Sequence, residues 1–338
     1  MLAFDYPEAL TRILPIFKAL NRIMSFKVSI EEQKGFPSIT LTDTITGTEA
    51  EIYAFGGLLN AFRVMLNHSL FNVVDGFTGR EDVEENITNG FKSAKLSPFV
   101  CRMFEGKYRL NNKEYQVNKH FLNGHAIHGL IYDGVYEIRG QESGNKSASI
   151  ILQYDYKGND AGYPFPYTIV LVWKLEAGNK LSVTTTISHH NLHPIPLADG
   201  WHPYFTLGGT VDEWNIQFDS AIQLEYDEAL LPSGNKIKDD RFIKGRSLKN
   251  IELDNSFELD TAAGNAKCVL SNDRLQLTIQ PDASYPLLQL YIPDHRKSMA
   301  IENLSGAPDN FNNGMWLILL SPGEEKSFAT SYTVVSGK

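Results

Sequence analysis

Seven of the nine histidines fall in two stretches, NKHFLNGHAIHGL (His120, His125, His128) and ISHHNLHPIPLADGWHPYF (His189, His190, His193, His202). Imidazole titrates near neutrality and ligates metals, so such clusters point to proton transfer or to a metal site. The spacing speaks against metal. On extended chain, residues one or three apart face opposite ways, so His125 diverges from His128 and His189 from His190. Neither cluster supplies two histidines two apart followed by a carboxylate, and no metal is expected. His128 and His202 stand out from the rest. Gly129 and Pro203 follow them at points of close approach or sharp turning, and aromatic neighbours could wall off water. Trp201, Tyr204 and Phe205 could stack on the apolar face of a sugar ring, or equally pack a core.

Among the carboxylates, Glu302 in AIENLSGAPDNFN follows Ala300 and Ile301 and precedes a loop of Gly306, Ala307 and Pro308. That places it at a strand end, where partial burial would raise its pKa and suit it to general-base work; a solvated loop edge is the alternative. Asp254 and Asp260 in LDNSFELD could bind hydroxyls or cap turns. Arg102 lies inside the apolar SPFVCRMF, where a cation needs a partner, a ligand or a route to solvent for its head. There is no GxSxG elbow, no phosphate-binding loop and no GxGxxG, which removes nucleophilic and nucleotide chemistry. No cofactor is called for.

These residues must be positioned by strands. From Phe26 onward FKVSI, SITLTDTI, AEIYAF, YTIVLVWKL, KLSVTTTISHH, WNIQFD, RLQLTIQ, LLQLYI and MWLILL carry the β-branched and aromatic residues and short alternations of sheet. EAGNK (176–180), LPSGNK (231–236), TAAGNAK (261–267) and SPGEEK (321–326) read as hairpin turns, and Gly56–Gly57 as a turn between strands. Helical periodicity is weak beyond the N-terminus. The pattern predicts an all-β protein, a large antiparallel β-sandwich with a concave face. Residues 1–23 read as a short helical extension, broken by Pro7 and Pro15, ahead of one domain over 24–338.

A formal charge of -9 disfavours nucleic acid as a partner, and no apolar stretch is long enough to cross a bilayer. The expected partner is a small neutral molecule, with the protein a monomer or homodimer. Two cysteines, Cys101 and Cys268, fit no disulfide framework and favour a reducing, cytoplasmic setting.

SPFVCRMFEGKYRLNNKEYQV, AIHGLIYDGVYEI, the block GYPFPYTIVLVWKLEAGNKLSVTTTISHHNLHPIPLADGWHPYFTL with its Gly-x-His-Pro-Tyr-Phe, LPSGNK, LDNSFELD, AIENLSGAPDNFN and LSPGEEKSFATSYTV follow one another from about Phe26 to the C-terminus. In this order they resemble the aldose 1-epimerase (galactose mutarotase) family. The resemblance implies a β-supersandwich fold and the interconversion of α and β anomers of an aldohexose without metal or nucleotide. Carried over by position, it makes His202 the general acid, Glu302 the general base, His128 a second active-site histidine, Arg102 a substrate-binding cation and Asp254 a hydroxyl-binding carboxylate. The sequence departs from the family where Cys101 replaces a common Asn, where His189 stands near another, and where Leu130 replaces a second Gly. Two alternatives accompany this reading. One is a non-catalytic carbohydrate-binding protein; the other is an epimerase for a phosphorylated hexose, with a local anion pocket around Arg63 and Arg102.

Overall fold

The computed structural model describes residues 24–32, 35–261 and 266–336. The helical extension read in 1–23 and the core of the 261–267 turn lie outside the described residues. Strands dominate what is described, and they pair antiparallel.

The Tyr167–Glu176 strand shows why the sheets form. Tyr167, Ile169, Leu171, Trp173 and Leu175 are buried and alternate with half-buried positions. Each such side chain contributes roughly 1.5–3 kcal/mol by leaving water, so the register that buries all five is strongly specified. After Glu176 the chain reverses through Gly178 and Asn179, both with left-handed backbone, and Lys180–Ser188 returns alongside. These two strands lie within a nine-stranded sheet whose middle also holds Glu325–Ser336 and Leu275–Pro281.

An eight-stranded sheet faces it. Its central run is Ile222–Tyr226, Asp254–Glu258, Leu287–Tyr291, Met299–Leu304 and Gly200–His202. Aromatic rings join the layers: Trp173 meets Trp201 with centroids 5.3 Å apart, Phe218 meets Phe257 at 4.8 Å and Phe205 meets Tyr332 at 5.5 Å. The expected antiparallel sandwich is therefore present. A five-stranded meander over residues 26–72 packs at one side. Its Gly56–Gly57 turn has positive φ at both residues, and the Gly57 carbonyl accepts a hydrogen bond from Trp173 Nε1 at 3.0 Å.

Several local expectations are corrected. LPSGNK is not a turn: Asp227 accepts hydrogen bonds from the Ala229 and Leu231 amides, reversing the chain earlier, and Pro232–Lys238 is an edge strand. Of MWLILL only Ile318–Leu320 is strand, because Trp316 sits at φ 55 and ends the extended run. A helix at Arg80–Asn86, too short to show a period, was not anticipated. Among the described residues no helix is long and apolar enough to cross a membrane.

Candidate active site

The Gly200–His202 strand runs between Ala94–Leu96 and Met299–Leu304. Alternation sends Trp201 into the interior between the sheets and His202 to the opposite face. Glu302 is not at a strand end. It lies inside the six-residue Met299–Leu304 strand, opposite Gln289, because that strand is paired on both edges and continues to Leu304. It is also fully rather than partly buried, at 2% exposure. His202 Nε2 lies 3.2 Å from Glu302 Oε1.

His128 reaches the same place by a different route. The His125–Ile127 strand ends there, and His128 takes a left-handed backbone at φ 62 with its amide donating to the Cys101 carbonyl at 2.9 Å. The next residue must be glycine: a Cβ on Gly129 would stand 2.3 Å from the Ser97 carbonyl oxygen. His128 meets His202 edge-on at 4.8 Å and Phe91 at 4.6 Å. Arg102 opens a short strand paired to Ile127, and Asp254 opens the strand paired to Tyr291. Glu302, His202, His128, Arg102 and Asp254 thus line one cavity of about 340 Å³, in the range of small-ligand pockets.

Burial governs the electrostatics. It holds the His128 imidazole well below its ordinary value, helped by His202 and Arg102, and lowers His202 to about 4. It pushes Glu302 well above the usual carboxylate range, with Asp254 adding to the shift and the Arg102 guanidinium opposing it. Asp254 is also raised by burial, against Arg102 and a 2.8 Å hydrogen bond from Gln289 Nε2. The contact between His202 and Glu302 therefore holds one proton rather than two charges. Three polar atoms of the cluster, His202 Nδ1, His128 Nδ1 and Glu302 Oε2, have no hydrogen-bond partner within the protein. The three residues that carry these atoms line the cavity, while the atoms themselves are closed off from solvent.

Of the other candidates, His120 also lines the cavity, and most of the rest fall elsewhere. Trp201 and Phe205 belong to the core, so of the proposed aromatic platform only Tyr204 lines the cavity. Arg63 pairs with Glu51 at 2.6 Å and Glu49 at 3.7 Å and is not among the cavity residues, which dissolves the pocket imagined around Arg63 and Arg102. His189 is buried with Nε2 on the Leu320 carbonyl, His125 accepts from the Glu105 amide, and Asp260 lines a different depression. Among the described residues no group of three or more His, Cys, Asp or Glu side chains could hold a metal ion. Cys101 lines the cavity with its thiol pushed up by burial.

Sequence reasoning missed Gln289 and Tyr291, which also line the cavity. A signal existed in LLQLYI: Leu288 and Leu290 fill the core, so the alternate positions, Gln289 and Tyr291, share the other face.

Directly behind His202 lies a second buried cluster. Lys95, with no exposed surface, sits 4.2 Å over the Trp201 ring and donates to Asp199 Oδ2 at 2.5 Å and the Gly200 carbonyl at 3.3 Å. Tyr285 donates to the same carboxylate oxygen at 2.7 Å. Burial lowers Lys95 to about 8 despite Asp199.

Comparison with known proteins agrees with this fold. The family model for aldose 1-epimerase matches residues 37–333, and the chain belongs to that family. The uncharacterized protein YihR of Escherichia coli (strain K12) is 27% identical over 237 residues, covering 68% of this chain and 74% of that one. The crystal structure of galactose 1-epimerase from Lactobacillus acidophilus NCFM superposes with a TM-score of 0.78 at 19% identity, over 93% of this chain and 100% of that one. An aldose epimerase homologue from C. elegans gives 0.76 at 18% identity, again over 93% and 100%. At these identities the structural matches speak to the fold.

Proposed function

We propose that the protein is an aldose 1-epimerase that interconverts the α and β anomers of a free aldohexose. The observation that carries this reading is the buried contact between His202 Nε2 and Glu302 Oε1, 3.2 Å apart at the wall of a sugar-sized cavity. Ring opening needs one proton delivered to the ring oxygen as the C1–O5 bond breaks, and one removed from the anomeric hydroxyl as the C1 carbonyl forms. In the arrangement that carries the pair's single proton on His202, His202 acts as the acid and Glu302 as the base, and reclosure after rotation about C1–C2 reverses both transfers. The two steps balance, so a pair holding a single proton suffices. His128 stays neutral through its burial and offers an uncharged imidazole to the sugar. Arg102 and Asp254 bind hydroxyls.

The composition of the cavity wall favours an unphosphorylated sugar. Among the described residues Arg102 is its only Arg or Lys, and it faces two acidic side chains, Asp254 and Glu302. A non-catalytic binder has no use for an acid and a base in contact. Polarimetry of freshly dissolved α-D-glucose and α-D-galactose tests the proposal. The protein is expected to speed the decay of optical rotation for at least one of them, and His202→Ala to abolish the effect. Failure to accelerate either sugar would overturn the assignment.

A further inference from the structure

The cross-strand row that contains the proposed base continues away from it. Glu302 stands opposite Gln289, and Gln289 opposite Ser256, so the three side chains lie in line on one face of the sheet. Asp254, two residues before Ser256, shares that face. Tyr226, on the next strand, completes the row with its hydroxyl.

The hydrogen bonds in this row have one direction. Tyr226 donates to Ser256 Oγ, Ser256 Oγ donates to Gln289 Oε1 at 2.6 Å, and Gln289 Nε2 donates to Asp254 Oδ1 at 2.8 Å. A carboxylate can only accept, so Asp254 requires the NH2 end of the Gln289 amide. The amide oxygen then points away and accepts from Ser256 at 2.6 Å, with the Tyr226 oxygen 3.2 Å off and its one hydrogen directed to Ser256 Oγ. Successive bonds aligned this way polarise one another in a poorly solvated interior. Ser256 is fully buried, and burial holds the Tyr226 hydroxyl well above its ordinary value, so it remains a donor.

We infer that Tyr226 and Ser256 are positioning residues. Through Gln289 they hold Asp254 as an ionised acceptor, with one oxygen fixed and the other presented to the cavity. This deepens the epimerase reading and rests on it for the identity of the ligand. It defines the ligand class as a polyol with a free, donating hydroxyl at the position facing Asp254. A site built around such a hydroxyl rejects an analogue that lacks it, because the carboxylate would be left buried and unpaired.

The test has two readouts on the intact protein. The first is an NMR titration of the Asp254 carboxyl carbon in the wild type, Tyr226→Phe, Ser256→Ala and the double variant. Arg102, Glu302, Cys101, Tyr204 and Tyr291 face the same carboxylate and are unchanged in all four. Removing donors that favour the charged form should raise the Asp254 midpoint by about half a pH unit or more, most in the double variant. The second is the kinetics of the accepted aldose. KM should rise about tenfold with kcat within about threefold, because the relay acts on binding and not on proton transfer. Discrimination against monodeoxy analogues should shrink in parallel. An unmoved midpoint in the double variant overturns the relay, whatever the kinetics. A shifted midpoint in a protein that turns over no aldose upholds the relay and overturns the epimerase reading. A shifted midpoint with kcat and KM altered together, and with equal discrimination, overturns the specificity role. Tyr226→Phe removes a single oxygen, so it keeps the test open should Ser256→Ala fail to fold.

Discussion

Two buried ionisable clusters lie back to back on residues 199–202, and they are built differently. Behind the strand, Lys95 and Asp199 form a close ion pair capped by Tyr285 and covered by Trp201, with neither side chain exposed and neither among the residues of the cavity. In front, His202 and Glu302 share one contact at 3.2 Å and, with His128, line a cavity; three nitrogen or oxygen atoms of these residues have no partner among the described residues. Burial alone does not separate structure from chemistry here. Both clusters keep buried polar atoms without partners among the described residues, Asp199 Oδ1 and Trp201 Nε1 behind as well as those in front, so the distinguishing feature is that only the front one lines the cavity. The rear cluster is a closed ion pair; the front one is the pair to which the proposed function assigns proton exchange.

The strongest way to break this contrast is at Glu302. Glu302→Gln keeps shape and burial but removes the proton carrier, so kcat in polarimetry should fall about 10³-fold while the unfolding midpoint is unchanged or rises. Comparable loss of activity and stability would erase the distinction between the clusters. Lys95→Met should do the reverse. It strands Asp199 in the interior and should cost about 3–5 kcal/mol in denaturant unfolding, with turnover per folded molecule retained, and adding Asp199→Leu should recover much of the loss.

Acidity sharpens the contrast further. His202 is lowered to about 4 in the fold from an ordinary 6.5, so between these values the unfolded chain binds more protons at this residue than the native one. Stability should therefore decline as pH falls from 6.5 towards 4, a limb that His202→Asn flattens in chemical unfolding monitored across pH. Activity should be lost as pH falls through about 4, when His202 gains a second proton for the pair and no base remains. The smallest effect is expected at Arg63, where the half-exposed bridges to Glu49 and Glu51 lie outside the cavity. Arg63→Ala should lower stability by less than about 1 kcal/mol and leave KM unmoved in the same assay.

The strand framework was legible because burial on one face imposes a period that local sequence records, as in Tyr167–Glu176 and Lys180–Ser188. Individual boundaries were not, wherever a side chain captured the backbone. Asp227 drew the reversal forward and turned LPSGNK into a strand, and the left-handed Trp316 cut MWLILL short. Four of the five proposed site residues stood out through their neighbours, Gly129 after His128, Pro203 after His202, and apolar stretches around Arg102 and Glu302, whereas Asp254 was singled out by the family resemblance. What joins them is non-local. The pairing of Gln289 with Ser256 and Glu302, and the separation of Arg63 from Arg102, follow from sheet register, which no short stretch of sequence displays. Trp201 and Tyr204 illustrate the limit, since three residues apart in one aromatic run they serve the core and the cavity respectively.

The contact between His202 and Glu302 also bears on how a turnover ends. A proton that passes from one partner to the sugar is matched by one that passes from the sugar to the other, so opening leaves the pair exchanged but not depleted. Closing restores it from the same two atoms. A catalyst arranged in this way has no separate resetting step, and bulk water need not enter between cycles. In the proposed reaction, while the sugar fills the cavity, the hydrogen on the anomeric oxygen of the product can be one that the substrate carried in.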